Sequence, residues 1–85
     1  MTDAEIIARI DQVLAEEFEL EAEQMQPEAE IFADLGLDSL DIVDMVVVLE
    51  NAMGVKIRDE KALREIRTLG DIHNFVIARK QAAEG

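Results

Sequence analysis

The apolar positions of the chain fall into helical stripes separated by stretches with no such period. Ile6, Ile7, Ile10, Val13, Leu14 and Phe18 keep to one face at helical spacing. Thr2 and Glu5 stand ahead of them at the spacing of a capping box. A first helix is therefore predicted from Thr2 or Asp3 to Phe18 or Glu19. Its stripe reads as core, because the polar side carries one cation, Arg9, where a helix that lies on a membrane is rich in them.

The second stripe is denser. Leu40, Ile42, Val43, Met45, Val46, Val47, Val48, Leu49, Ala52 and Met53 crowd one segment, and Gly54 supplies a stop. A run of valines favours a strand, but the period decides for a helix over Ser39–Met53. Ile42, Val46, Leu49 and Met53 form a core row. Leu40, Val43 and Val47 form a second row, rotated from the first, with Asp41, Asp44 and Asn51 beside it. A helix apolar on two faces is either central in its bundle or offers one face to a partner. The second choice suits so short a chain. Leu40, Val43 and Val47, rimmed by Asp41, Asp44 and Glu50, would make a small apolar patch with an acidic edge, the makings of an electrostatically guided docking surface.

Further on, Asp59 is placed to cap a short helix over 60–66 carrying Leu63 and Ile66. Lys61 and Glu65 lie four apart on it. Thr68, with Asp71 three residues later, opens a last helix over about 69–81, with Leu69, Ile72, Phe75, Val76 and Arg79 in helical register. Gly70 in its first turn costs up to about 1 kcal/mol relative to Ala. Gln81 to Gly85 are expected to fray.

The segment from Glu19 to Leu37 has no helical period, and Pro27 disfavours helix at Gln26. Leu20, Met25, Ile31, Phe32 and Leu35 are too apolar for a free linker. An ordered loop is predicted, pinned by Ile31, Phe32 and Leu35 inserting into the core. The expected fold is all-α: a four-helix bundle with three longer helices, one short helix and a long loop between helices one and two. With 85 residues, the chain is read as one domain over 1–85 with a modest core.

Charge sharpens the picture. The net charge is −12, which argues against nucleic acid and anionic membranes as partners. From Asp11 to Val55 there are thirteen acids and no Lys or Arg; Lys56, Arg58, Lys61, Arg64 and Arg67 then follow within twelve residues. There is no cysteine and one histidine, so disulfides, thiol nucleophiles and histidine-based metal clusters drop out. The longest apolar run, Met45 to Leu49, has five residues, far short of a membrane span. The N-terminus is acidic and has no signal-peptide pattern. A cytoplasmic, monomeric protein is expected.

The candidate chemistry lies in Asp34-Leu35-Gly36-Leu37-Asp38-Ser39-Leu40-Asp41. Gly36 permits a positive-φ bend. Asp38 is a strong N-cap, and Asp38 with Asp41 has capping-box spacing, weakened because the fourth residue is Asp rather than Glu or Gln. Ser39 then takes the first helical position, at an exposed helix mouth whose partial positive charge suits an attached phosphate.

That octapeptide, followed by Ile42-Val43-Asp44-Met45-Val46 and Leu49-Glu50, closely resembles the acyl carrier protein family, and the register of the flanking helices extends the resemblance to nearly the whole chain. It implies 4′-phosphopantetheine, delivered from coenzyme A by a phosphopantetheinyl transferase, on Ser39, with Asp38 and Leu40 completing the attachment triplet. It implies a carrier of thioesters for fatty acid, specialised lipid or polyketide-type synthesis. It implies no catalytic residue of its own, and partner synthases and transferases that dock through basic patches. In the family the acyl chain can slip among the helices; Ile42, Val46, Leu49, Ile66, Ile72 and Val76 are the residues available here. The chain departs from the common pattern at Asn51, Ala52 and Met53, where acids are usual, at Arg58, where Pro is usual, and in its basic cluster.

Three rival readings compete. Gly36-Leu37-Asp38-Ser39-Leu40 resembles the Gly-Asp-Ser-Leu esterases, but Leu37 interrupts the motif and only Asp71-Ile72-His73 stands in for the catalytic Asp-x-x-His. His73 reads as an ordinary helix residue. The second rival is an acidic interaction module whose Ser39 is never modified. Calcium binding by Asp34, Asp38 and Asp41 misses the EF-hand spacing, so no metal site is assigned.

Overall fold

The structure is a computed structural model. It describes residues 2–57 and 60–84, with the side chains of residues 60, 62, 83 and 84 left aside. Four helices follow in order: α1 (Asp3–Phe18), α2 (Ser39–Met53), α3 (Glu60–Glu65) and α4 (Leu69–Glu84). The expected all-α, four-helix arrangement is the one observed, and α4 runs three residues beyond the predicted Gln81. The Asp59 cap proposed for α3 lies outside the described residues.

Capping chemistry fixes where the helices begin. At α1, Thr2 Oγ1 accepts the Glu5 N–H at 3.2 Å and Glu5 Oε1 accepts the Thr2 N–H at 2.8 Å. The Thr2 amide holds the Glu5 carboxyl below its ordinary pKa. At α4, Thr68 Oγ1 accepts the Asp71 N–H at 3.2 Å. Asp71 Oδ2 accepts the N–H groups of Arg67 at 3.0 Å and Thr68 at 3.1 Å. Helix α1 ends with Glu19 in the left-handed region at φ 54°, where the N–H of Leu20 reaches back to the Ala15 carbonyl at 3.0 Å.

The core joins all of these elements. Ile6, Ile10 and Leu14 of α1 meet Met45, Val46, Leu49 and Met53 of α2 and Leu69, Ile72 and Val76 of α4, with Val55 and Ile57 from the α2–α3 connection. Helix α1 packs on both α2 and α4. Its buried row is narrower than the predicted stripe, because Ile7, Val13 and Phe18 are only half-buried at its edges. On α2 the core row includes Met45, while Ile42 is only partly covered.

His73 is a buried polar side chain in this core, 4% exposed. Its Nε2 lies 2.6 Å from Asp11 Oδ1. It is a helix residue, as expected, and in addition a cross-brace between α4 and α1. Its place in the 69-72-73-76 row of α4 carried that signal, but Asp11 lies 62 residues away in sequence. At the far end, Lys80 Nζ donates to the Met53 carbonyl at 3.1 Å, placing a cation at the negative end of α2.

The long loop is ordered by backbone bonding. It contains a 3₁₀ turn over Ala22–Gln24, then meets the α3–α4 junction in a single antiparallel bridge between Glu30 and Thr68. Three hydrogen bonds strap the two segments: Ile31 N–H to Arg67 O at 2.9 Å, Leu69 N–H to Ala29 O at 3.0 Å, and Gly70 N–H to Pro27 O at 2.8 Å. Ile31 and Leu35 enter the core as predicted, together with Ala29. Phe32 does not; it is 53% exposed. Residues 30–35 form a helical turn, with the amides of Asp34 and Leu35 both reaching the Glu30 carbonyl. Positions 31 and 35 then share one side, and position 32 is rotated off it.

Candidate functional site

Ser39 is the first residue of α2, and it is exposed. The backbone arrives there through Gly36 at φ 71°, in open surroundings. Gly36 is thus required for its conformation and not for space. Asp38 then caps the helix. Its Oδ1 accepts the N–H groups of Leu40 at 2.9 Å and Asp41 at 3.0 Å, while Asp41 Oδ2 accepts the Asp38 N–H at 3.0 Å. Despite its shorter arm, Asp at the fourth position closes the capping box. Asp34 supports the preceding turn, with Oδ2 accepting the Glu30 N–H at 2.8 Å.

These bonds give the acids of the motif structural duties. Asp34, Asp38 and Asp41 each hold backbone amides, and among the described residues no three metal-ligating side chains converge.

Beside Ser39 lies a surface depression of about 220 Å³, lined by Phe32, Ser39, Ile42, Leu63, Arg64 and Ile66. Of the six residues considered for an acyl-lined space, Ile42 and Ile66 open onto this depression. Val46, Leu49, Ile72 and Val76 lie in the packed core behind. A cleft lined by Glu30, Phe32, Ala33, Arg64, Ile66 and Arg67 adjoins it, sharing Phe32, Arg64 and Ile66.

On the outer side of α2, Leu40 is 79%, Val43 64% and Val47 38% exposed. Asp44 is exposed and Asp41 half-buried beside them. A side-chain hydrogen bond with Asp44, and the charge of that group, push the Glu17 carboxyl of α1 above its ordinary pKa. Glu50 is half-buried, and its Oε2 accepts the Ile57 N–H at 3.0 Å; it closes the α2–α3 connection at the far end of the patch.

Residues 8–76 match the family model described as a phosphopantetheine attachment site. The chain belongs to the acyl carrier protein family. It is 42% identical over 73 residues to an acyl carrier protein of Helicobacter pylori, covering 86% of this chain and 92% of that one. Against an acyl carrier protein of Saccharopolyspora erythraea the figure is 43% over 77 residues, covering 91% and 80%. The solved acyl carrier protein of Enterococcus faecalis superposes with a TM-score of 0.73 at 28% identity, covering 93% of this chain and 99% of that one. This acyl carrier protein carries acyl groups on 4′-phosphopantetheine and is not an enzyme. That disposes of the esterase reading. The single histidine is engaged with Asp11 between α4 and α1, whereas Ser39 opens beside α3.

The residues present fit the prosthetic group. An exposed hydroxyl at a helix start is accessible to a transferase. The depression next to it offers apolar surface and a cation within the same lining. When bound, 4′-phosphopantetheine supplies the terminal thiol on which acyl groups are held as thioesters.

Proposed function

We propose that Ser39 is the attachment residue, that Asp38 and Leu40 frame it for the transferase, and that residues 1–85 act as one carrier domain. The observation that carries this reading is the exposed Ser39 at the first position of α2, beside the apolar depression. The Asp38 cap and the positive-φ bend at Gly36 fix the backbone on either side of the hydroxyl.

Partner enzymes dock on the outer face of α2. Leu40, Val43 and Val47 give the apolar contact; Asp41, Asp44 and Glu50 give an acidic rim that attracts basic patches on transferases and acyl synthases. The carrier works in the cytoplasm, where coenzyme A is available as donor of the arm, and it serves fatty acid or related specialised lipid or polyketide-type synthesis. No helix among the described residues is long and apolar enough to cross a membrane. The basic cluster after Val55 and the uncharged end of α2 at Asn51–Met53 support a specialised set of partners.

The test is intact mass after incubation with coenzyme A and a promiscuous phosphopantetheinyl transferase, run beside Ser39→Ala. One phosphopantetheinyl group gained by the wild type alone is the expected result. No gain, with the transferase active on another carrier, would leave an acidic interaction module in place of a carrier at Ser39.

A further inference from the structure

We propose that Arg64 of α3 holds the phosphodiester that joins the arm to Ser39, and thereby roots the arm in the depression between α2 and α3. The inference rests on the Ser39 reading above. Among the six residues lining that depression, Ser39 and Arg64 are the two polar ones; Phe32, Ile42, Leu63 and Ile66 are apolar. A phosphodiester formed at Ser39 therefore stands at the edge of an apolar hollow with one guanidinium in the same lining.

The surroundings of Ser39 make that cation matter. The helix mouth is less hospitable to an anion than most. Asp38 already takes the amides of Leu40 and Asp41, and Asp38 and Asp41 bring two carboxylates to the turn. From Asp11 to Val55 no Lys or Arg is present to offset them. Compensation for a permanently charged diester must then come from another element, and α3 is the element that reaches the depression.

Arg64 is also available. It is exposed, and it forms no ion pair with another described residue. Its neighbours are differently placed. Arg67 lines the adjoining cleft, beside Glu30, and not the depression, and it interacts with the Asp71 carboxylate. Lys61, exposed on α3, does not line the depression. A guanidinium presents a planar fork that matches two phosphate oxygens, which an ammonium does not. Arg64 is thus a positioning residue for the arm, and one member of the basic cluster, unexplained by an acidic docking face on α2, gains a role.

The test uses the whole chain in apo and loaded forms, with loading established first by intact mass. In the loaded wild type, the Nε–Hε resonance of Arg64 shifts from its apo position. The ³¹P resonance of the diester differs between wild type and Arg64→Gln, with Arg64→Lys between them. An Arg64 resonance indifferent to loading, or a ³¹P signal that is the same in wild type and Arg64→Gln, overturns the proposal while leaving Ser39 as the carrier residue. A chain that gains no mass removes the Ser39 reading and this one with it. The wild-type resonance needs no variant, so a folding defect in Arg64→Gln would not blunt the test.

Discussion

At the scale of single residues, an aspartate in the fourth position of a capping box is the recurring device. Its side chain is one methylene shorter than glutamate, and the sequence predicts a weakened box at α2. Yet Asp41 and Asp71 both close theirs, and Asp71 takes two amides with one oxygen. Those amide bonds hold the Asp71 carboxyl below its ordinary pKa, the Arg67 N–H first and the Thr68 N–H next. A carboxyl depressed in the folded state contributes stability above its unfolded pKa of about 3.9 and loses it as pH falls through the folded value. Asp71→Ala is therefore expected to cost about 1 kcal/mol at neutral pH, with the deficit shrinking as the pH falls from the unfolded value through the folded one. Denaturant unfolding of both proteins across that range checks it; a constant deficit would mean that the carboxylate charge adds nothing. Residues of this kind were legible because their partners are three places away. Asp38 belongs to the same class. His73 was not legible as a brace, because its partner comes from the other end of the chain.

At the scale of elements, the helices were legible from caps and periods alone, and their observed starts match the predicted ones. The loop was harder, since its order comes from hydrogen bonds to a distant segment. Phe32 was expected inside because it is apolar. The turn at 30–35 places Ile31 and Leu35 inward and leaves Phe32 outside, and composition carries no sign of that rotation. Gly70 shows the same limit. By propensity it is a defect in α4, and alanine would be better by about 1 kcal/mol. In the fold, a Cβ at that position would lie 3.0 Å from the Pro27 carbonyl oxygen. That oxygen cannot retreat freely, because it accepts the Gly70 N–H and lies in the same strap as the Ala29–Leu69 and Ile31–Arg67 bonds. Gly70→Ala should therefore destabilise, by about 1 kcal/mol net of the propensity gain. For a domain of this size that is a fall in melting temperature of about 4–8 °C. A rise on thermal unfolding would show that the strap yields.

At the scale of the molecule, charge and apolar exposure are divided between faces. The outer side of α2 joins exposed Leu40, Val43 and Val47 to acidic neighbours, while no Lys or Arg occurs between Asp11 and Val55. Val43→Asp should leave unfolding free energy within about 0.5 kcal/mol of wild type, as an exposed position allows. It should weaken transferase binding by about 1–2 kcal/mol, roughly tenfold. An unfolded variant would place Val43 in the core. Among the acids, Asp44→Asn is the cleaner probe of steering than changes at Asp38 or Asp41, whose carboxylates hold the start of α2 together. Its effect on the modification rate should be larger at low salt and fade as salt rises; a rate indifferent to salt would remove steering. The strap from the long loop to residues 67–70 has a consequence in time as well as in space. During synthesis, the segment that delivers Ser39 emerges well before the residues whose backbone holds it. A ribosome-stalled chain displaying Ser39 but not yet residues 67–70 should be refused by the transferase, so that arming the carrier also certifies that the strap has formed.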